Sequence, residues 1–291
     1  IGNAKNGSSA VLVSEVDESD GSIIHFRPEL GVITNISKDH KELEELIALF
    51  QTFASNTSGQ LIINGDCAMS RGLRVKDALT FGMRAGSDLV PDAVDCSAAG
   101  SRFILQGVPF SLRVPGRHNI ANALAAAAVG RALDIPLRII SRGLALFAGI
   151  KRRLDLVGSK DGITVIDDFA HNPDKITASL AALREMGRRC IVIFQPHGYG
   201  PTKFLRYELA RAFSTGLRAE DMLICLNIYD AGGTADRTIT SRDLLNDITG
   251  PQLLHAPERD VAIDAVRKIV RPGDVIAVMG ARDDTLSAFA R

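Results

Sequence analysis

The sequence predicts an α/β protein in which a mixed first half is followed by a regular βαβ second half. After residue 150, apolar runs alternate with amphipathic stretches. The expected elements are strands at 163–167, 190–194, 222–226 and 274–279, and helices at 174–186, 203–215, 241–248 and 258–270. Regular alternation of this kind is typical of parallel sheets.

The first half has a less regular pattern, which we interpret as a parallel sheet with an antiparallel appendage. Short strands separated by turn residues fill residues 73–114 and indicate the appendage. The basic run Lys151-Arg152-Arg153 lies where this irregular pattern gives way to the regular βαβ pattern, so we divide the chain into domains 1–149 and 150–291. The other expected elements are strands at 10–15, 31–36 and 60–64, an amphipathic helix at 41–55 and a small-residue helix at 119–133.

Composition excludes several classes of protein. The chain has 34 basic and 34 acidic residues and no net charge, which disfavours a nucleic-acid binder. No apolar run approaches the roughly 18 residues of a membrane span. The four cysteines show no short paired spacing, which favours a reducing compartment. We therefore expect a cytoplasmic protein, and the sequence does not predict an oligomeric state.

The beginning of the chain favours a piece of a longer protein. It starts Ile1-Gly2-Asn3 rather than with Met and quickly reaches an apolar run. The dipeptide Gly-Lys occurs nowhere, so the G-x-x-x-x-G-K-[ST] phosphate loop is absent from this sequence. We expect the chain by itself to be inactive towards ATP.

Glu15 and His40 each follow an expected strand of the first half, so parallel pairing would bring them to one edge of the sheet. A carboxylate and an imidazole suit a divalent cation completed by phosphate and water. The alternative is a solvated loop acid and a surface histidine.

The segment 114–122 combines a Pro-Gly turn with a polar helix start. His118, Asn119 and Asn122 fall within about one turn and offer ring and amide groups that suit a purine edge. The alternative is that Asn119 only caps the helix.

Two acids and a histidine end the strand at 163–167. Asp167, Asp168 and His171 would lie where parallel α/β sheets bind ligands, at the carboxyl ends of strands. An acid there can hold a ribose hydroxyl, and a histidine can accept a proton near neutral pH. The alternative is that Asp168 only caps the next helix.

Two further segments carry weaker signals. The cations of Lys151-Arg152-Arg153 can clamp phosphates or simply be solvated. The polar loop 195–203 follows a strand and can contact a substrate or only turn the chain.

Taken in order, these blocks resemble the Mur ligase family over essentially the whole chain. The matching blocks are Glu15-Val16-Asp17-Glu18-Ser19-Asp20, Thr34-Asn35-Ile36 with Asp39-His40, Val114 to Asn119 with Asn122-Ala123, Lys151-Arg152-Arg153, Asp167 to Pro173, and Phe194-Gln195-Pro196-His197. The resemblance implies the remainder of a central ATPase-type domain followed by a Rossmann-like C-terminal domain. The family's UDP-sugar domain and phosphate loop are missing from the sequence.

The resemblance implies an ATP-dependent ligase of peptidoglycan precursor synthesis in bacteria. Such enzymes join an amino acid, here expected to be L-alanine, to UDP-N-acetylmuramate through an acyl phosphate. The implied metal ligands for Mg²⁺ are Glu15 and His40, and the implied nucleotide contacts are His118, Asn119, Asn122, Arg153 and Asp168. The implied substrate contacts are Phe169, His171, His197 and Lys203, and the implied catalytic residues are His171, Lys151 and Arg153.

The sequence departs from the family where the amine-bearing substrate would bind. Gly198 and Pro201 occupy positions where arginines are usual, and Phe169 replaces a tyrosine. Lys203 or Arg206 can compensate for the lost cations. Two alternatives remain open: a recycling ligase that attaches a tripeptide, and a non-catalytic module that binds without turnover.

Overall fold

The structure is a computed structural model that describes residues 7–38, 41–97, 100–186, 189–230, 232, 234 and 236–291. Its strands are Leu30–Ile33 (β1), Gln60–Asn64 (β2), Leu79–Phe81 (β3), Ala93–Ser97 (β4), Gly100–Leu105 (β5), Val108–Leu112 (β6), Asp155–Lys160 (β7), Ile163–Asp168 (β8), Cys190–Gln195 (β9), Met222–Leu226 (β10), Gln252–Ala256 (β11) and Val275–Gly280 (β12). Its helices are Leu43–Asn56 (α1), Ala68–Arg71 (α2), Arg117–Ala132 (α3), Leu137–Ala145 (α4), Pro173–Glu185 (α5), Tyr199–Phe204 (α6), Arg206–Gly216 (α7), Ser241–Asn246 (α8), Arg259–Ile269 (α9) and Leu286–Phe289 (α10), with a 3₁₀ turn at Ser22–His25.

The first half contains a parallel sheet between two helices. Its strand order is β1-β2-β3, with Leu30 opposite Gln60 and Ile62 opposite Leu79. Helix α1 covers one face through Leu46 and other apolar residues, and α3 covers the face that Ile62 presents. This sheet confirms the expected parallel arrangement. β1 ends at Ile33 and is followed directly by the loop of residues 34–38.

The antiparallel appendage is confirmed as a meander of β4, β5 and β6. It packs on α3, in which Ala123, Ala125, Ala127 and Ala128 are buried. Helix α4 lies close to α3 because Gly130 has no side chain: a Cβ there would meet Ile140 Cδ1 at 2.5 Å. The small residues of α3 therefore serve helix–helix as well as helix–sheet packing.

The second half contains one six-stranded sheet in the order β11-β10-β9-β12-β8-β7. All of its strand pairs are parallel except β7 with β8. Helices α5, α7 and α8 bury one face, and α9 and α10 bury the other. The carboxyl ends of β8, β9 and β12 therefore meet at one edge, as the βαβ pattern predicts.

Several elements differ from expectation. The strand expected at 10–15 is wrong: these residues lie outside any strand, and Leu12 is 90% exposed. A β-branched composition favours extended backbone, but a strand also needs a neighbour to satisfy its amides and carbonyls, and no described strand pairs with this segment. β3 joins the parallel sheet rather than the appendage, and the helix expected at 203–215 is broken at Leu205 into α6 and α7.

β7 and β11 went unanticipated because their sequences carry weak signals, and α4 and the four-residue elements α2, α10 and Ser22–His25 were also missed. β7 and β11 are edge strands, with four of six and two of five residues exposed, and β7 contains Gly158 at an irregularity in its pairing. Edge strands lack the continuous apolar run by which a buried parallel strand is recognised. Helix α4 is short and follows α3 closely.

None of the helices within the described ranges combines the length and the apolar character needed to cross a bilayer.

Candidate functional site

A cavity of about 450 Å³ lies where the first half meets the second. One wall comes from the start of α3, a second from the segment 144–154, and a third from the end of β8 and the first turns of α5. Its residues are Val114, His118, Asn119, Asn122, Ala123, Leu144, Phe147, Gly149, Ile150, Arg153, Leu154, Asp168, Lys175, Ala178 and Ser179. Five of these, from three separate segments, were predicted as nucleotide contacts, and the structure brings the three segments together around one cavity.

The start of α3 directs its polar groups towards this cavity. The helix begins at Arg117 after Gly116, so Asn119 is not its cap, and the capping alternative is wrong. Asn119 lies in the first turn and donates from Nδ2 to the carbonyl of Pro115 at 2.7 Å. Burial lowers the pKa of His118 below its ordinary value, which favours the neutral imidazole at pH 7. A neutral ring offers one donor and one acceptor to a ligand.

Asp168 lines the opposite wall and is buried. It accepts hydrogen bonds from Ser179 Oγ at 2.5 Å and from the amide of Ala170 at 3.1 Å. Burial raises the pKa of Asp168 above its ordinary value, although these hydrogen bonds and Arg153 oppose that shift. Helix α5 is capped by Asn172 instead, which accepts from the amide of Lys175 at 2.9 Å. The alternative that Asp168 merely caps α5 is therefore wrong.

The basic run is divided between the cavity and the protein interior. Arg153 lines the cavity, with its guanidinium 5.2 Å from the centroid of the Phe169 ring. Arg152 turns inward, and its guanidinium is 4.9 Å from the same ring. Lys151 is exposed. Two guanidiniums thus lie against one aromatic ring at the end of β8, an arrangement that cation–π attraction stabilises.

Phe169, His171 and His197 form a continuous stack of rings. The ring centroids of Phe169 and His171 are 5.3 Å apart, and those of His171 and His197 are 4.6 Å apart, both in edge-to-face contact. His171 Nδ1 lies 2.8 Å from the carbonyl of Phe169. Because a carbonyl only accepts, this bond assigns the proton to Nδ1. The stack connects β8 with β9 beside the cavity.

The loop after β9 does not line the cavity. Gly198 is the N-cap of α6, with φ +75°, and its amide donates to the carbonyl of Tyr229. Lys203 pairs with Asp236 at 2.6 Å, and this pairing, with Thr238, lowers the pKa of Asp236 to about 2. Both cations expected to compensate for missing arginines are therefore engaged, since Arg206 pairs with Asp247 at 2.5 Å.

The predicted metal site is described only in part. Glu15 is exposed in an irregular segment, and His40 lies outside the described residues. In the described ranges, no group of three or more His, Cys, Asp or Glu side chains is arranged to hold a metal ion. The Glu15–His40 assignment stays a prediction.

Sequence reasoning missed the contribution of α5. Lys175, Ala178 and Ser179 line the cavity at spacings of three and four residues, which place them on one helix face. That spacing was visible in the sequence and could have identified them. Sequence reasoning also missed the ion pair between Arg117 Nε and Glu185 Oε1. These atoms are 2.8 Å apart, and the pair joins α3 to α5 across the junction between the two halves.

Comparison with known proteins identifies the family that this chain matches. The family model described as Mur ligase middle domain matches residues 2–130, and the one described as Mur ligase, glutamate ligase domain, matches residues 152–282. A protein of Nostoc punctiforme named UDP-N-acetylmuramate–L-alanine ligase is 38% identical over 297 residues, covering 96% of this chain and 60% of that protein.

Solved structures show the same fold. The UDP-N-acetylmuramate-alanine ligase of Thermotoga maritima matches with a TM-score of 0.70 at 23% identity, over 94% of this chain and 61% of that one. A MurF ligase of T. maritima in complex with ADP matches with a TM-score of 0.69 at 15% identity, over 90% and 60%. The chain thus spans about 60% of the relatives' length, and it belongs to the Mur ligase family, with a middle domain and a glutamate ligase domain.

Proposed function

We propose that the protein of which this chain is part is an ATP-dependent ligase that joins L-alanine to UDP-N-acetylmuramate in the bacterial cytoplasm. The observation that carries the proposal is the cavity in which His118, Asn119 and Asn122 face Arg153 and Asp168. The names of relatives that are 34–38% identical over 96% of the chain supply the substrates. The proposal includes the domain division 1–149 and 150–291, with the cavity between the two domains. The zero net charge favours small-molecule substrates over a nucleic acid.

The cavity would receive the adenosine part of ATP. The neutral ring of His118 and the amides of Asn119 and Asn122 can satisfy the donors and acceptors of a purine edge. Asp168 can accept a ribose hydroxyl, because its carboxylate already faces the cavity. Arg153 supplies the positive charge for phosphate oxygens.

The reaction transfers the γ-phosphate of ATP to the muramoyl carboxylate, and the amine of the amino acid then displaces that phosphate to form an amide. Mg²⁺ would neutralise charge between the two approaching anions. Glu15 offers an exposed carboxylate, the hard oxygen donor that Mg²⁺ prefers, and Glu15 with His40 would hold it. Lys151 and Arg153 add positive charge on the other side of the junction.

The amine must lose a proton when it attacks. Nδ1 of His171 already carries the proton that it donates to the carbonyl of Phe169. Nε2 is therefore the nitrogen that can accept the amine's proton. His197 holds the His171 ring from the opposite side. We propose that Phe169, His171, His197 and Lys203 contact the amine-bearing substrate, with Lys203 released from Asp236 when it does so.

A tripeptide is the second candidate for the amine-bearing substrate. Gly198 and Pro201 stand where the family's alanine-adding members carry arginines, which leaves more space and fewer cations. Lys203 and Arg206 are both paired with acids. A larger substrate would gain contact area that free alanine lacks.

Calorimetric titration of the 291-residue chain with adenosine tests the nucleotide assignment. We expect binding that Asn122→Ala weakens. Asn246→Ala, a change of the same type in α8, is the matched control and should leave binding unchanged. Absence of binding by the wild-type chain, or equal effects of the two variants, would contradict the assignment.

Turnover tests the activity and separates the enzyme from a non-catalytic module. A chimera joins this chain to the amino-terminal region of the Nostoc punctiforme ligase. It should release phosphate from ATP only with UDP-N-acetylmuramate and L-alanine, and His171→Ala should abolish the release. A preference for the tripeptide over L-alanine would select the second candidate, and a folded chimera that binds ATP without turnover would select the module.

A further inference from the structure

The two adjacent carboxylates at the end of β8 face opposite sides of the sheet. Asp168 turns to α5 and the cavity, whereas Asp167 accepts a hydrogen bond from Ser287 Oγ on α10 at 2.5 Å. Asp167 is only 3% exposed and is not among the residues that line the cavity. Because side chains alternate along a strand, it cannot reach the ligand that Asp168 would bind. A buried carboxylate is costly unless it is paired, so Asp167 requires another role.

Arg152 is the cation that faces Asp167. Its Nε lies 3.7 Å from Asp167 Oδ1, and its Nη2 donates to the carbonyl of Gly280 at 2.9 Å. The guanidinium also lies over the ring of Phe169. A residue of the segment that connects the two halves is thus embedded at the carboxyl ends of β8 and β12.

The segment 152–154 is held in a strained conformation. Arg152 has φ +60° and Leu154 has φ +48°, values that non-glycine residues adopt at a cost. The amide of Phe169 donates to the carbonyl of Arg152 at 2.7 Å, and the side chain of Leu154 is buried in the core of the second half. Arg153 lies between these anchored residues, and its side chain is thereby directed into the cavity.

We propose that Asp167 and Arg152 are positioning residues: their buried pair fixes the strained segment 152–154 and so aims Arg153 at the nucleotide phosphates. This inference rests on the proposed function, since Arg153 needs a bound nucleotide to act on. In the described part of the chain, Arg152 Nε and Asp167 Oδ1 have no hydrogen-bond partner. Their separation exceeds that of a charge-assisted hydrogen bond by roughly 0.8 Å, so a small shift makes the bond when phosphate draws Arg153 into place.

The test compares ADP with adenosine, because only ADP carries the phosphates that Arg153 would meet. Asp167→Asn keeps the volume and an acceptor for Ser287 but removes the charge. The matched control is Asp274→Asn: Asp274 is also buried, pairs with Arg189 at 2.5 Å, and lies at the amino end of β12 in the same sheet.

By calorimetry on the 291-residue chain, Asp167→Asn should raise the dissociation constant for ADP roughly tenfold, as loss of a supporting contact commonly does. Binding of adenosine should stay unchanged, and Asp274→Asn should change neither constant. If Asp167→Asn fails to fold, Arg152→Lys is the second variant. It keeps the positive charge but loses the guanidinium's forked donors, and it should weaken the binding of ADP without weakening that of adenosine. Unchanged ADP binding, or equal losses for ADP and adenosine, would overturn the inference.

Hydrogen exchange separates this inference from the proposed function. Exchange of the Phe169 amide, which bonds to Arg152, should accelerate in Asp167→Asn and not in Asp274→Asn. If the wild-type chain binds neither ligand, the proposed function fails, and the exchange result alone then decides whether Asp167 holds the segment. Unaltered exchange at Phe169 would overturn the inference whichever ligand binds.

Discussion

Gly116→Ala should disrupt both the fold and the cavity, because Gly116 lies where α3 approaches α5. Its φ of +96° and ψ of 143° belong to a region that residues with a Cβ avoid. A Cβ at this position would meet His118 Cε1 at 2.8 Å and Ala182 Cβ at 2.9 Å. Ala182 is rigidly held in α5 and cannot rotate away.

The size of the effect follows from two costs. The strained backbone costs about 1–3 kcal/mol, and overpacking against α5 and His118 costs about 1–3 kcal/mol more. We expect the free energy of unfolding to fall by about 2–6 kcal/mol, with the lower value if α5 recedes and the cavity opens. Displacement of the His118 ring should also weaken adenosine binding.

Urea unfolding and calorimetry measure the two effects. The matched control is Gly143→Ala in α4, where an added Cβ meets nothing within 4 Å and the backbone is helical. That change should stabilise the protein by about 0.5–1 kcal/mol. If Gly116→Ala unfolds at the wild-type urea concentration and binds adenosine equally well, the close approach of α3 and α5 is not as described.

Three further predictions concern charge and reactivity. Burial raises the pKa of Asp168 above 3.8, so its ionisation costs stability as pH rises through the folded pKa. Asp168→Asn should therefore raise the free energy of unfolding at pH 7 relative to pH 4, measured by urea titration at both pH values, while it weakens adenosine binding. An unchanged pH profile would contradict this. Burial raises the pKa of Cys190 and Cys225 to about 12, whereas for Cys67 burial is outweighed by Ser70 and nearby amides, which lower its pKa. At pH 8 a disulfide reagent should therefore modify Cys67 before Cys190 and Cys225. Modification of Cys190 or Cys225 before Cys67 would show that these two thiols are not buried. The exposed Arg117–Glu185 pair should contribute less than about 1 kcal/mol in a double-mutant cycle, and a coupling that survives 1 M salt would contradict a surface ion pair.

Much of the fold could be predicted because buried parallel strands carry continuous apolar runs. β8, β9, β10 and β12 fall within one or two residues of their expected bounds. The segment 10–15 has an equally strong apolar run but forms no strand, since pairing depends on a neighbour that local composition cannot reveal. The polar edge strand β7 was missed for the opposite reason: it pairs with β8 although its own pattern is weak.

The candidate site shows the same division. His118, Asn119, Asn122, Arg153 and Asp168 were predicted from five positions in three segments, and they line one cavity. The sequence could not show that Asp167 faces away from the cavity, because either acid of the pair can occupy the inward position of a strand. Nor could it show that Lys203 is paired with Asp236, a contact across 33 residues between α6 and the loop that precedes α8.

The position of β12 has a consequence for how the second half is made. β12 lies between β8 and β9, yet it follows every other strand of that sheet in the chain, and Asp168 and Val275 are 107 positions apart. On the ribosome, β8 and β9 therefore emerge long before their shared neighbour, each with one edge of amides and carbonyls unpaired. Such non-local pairing is slow. The nascent chain is thus most exposed to wrong strand pairing during the interval before β12 is synthesised, and that interval is where a chaperone would act.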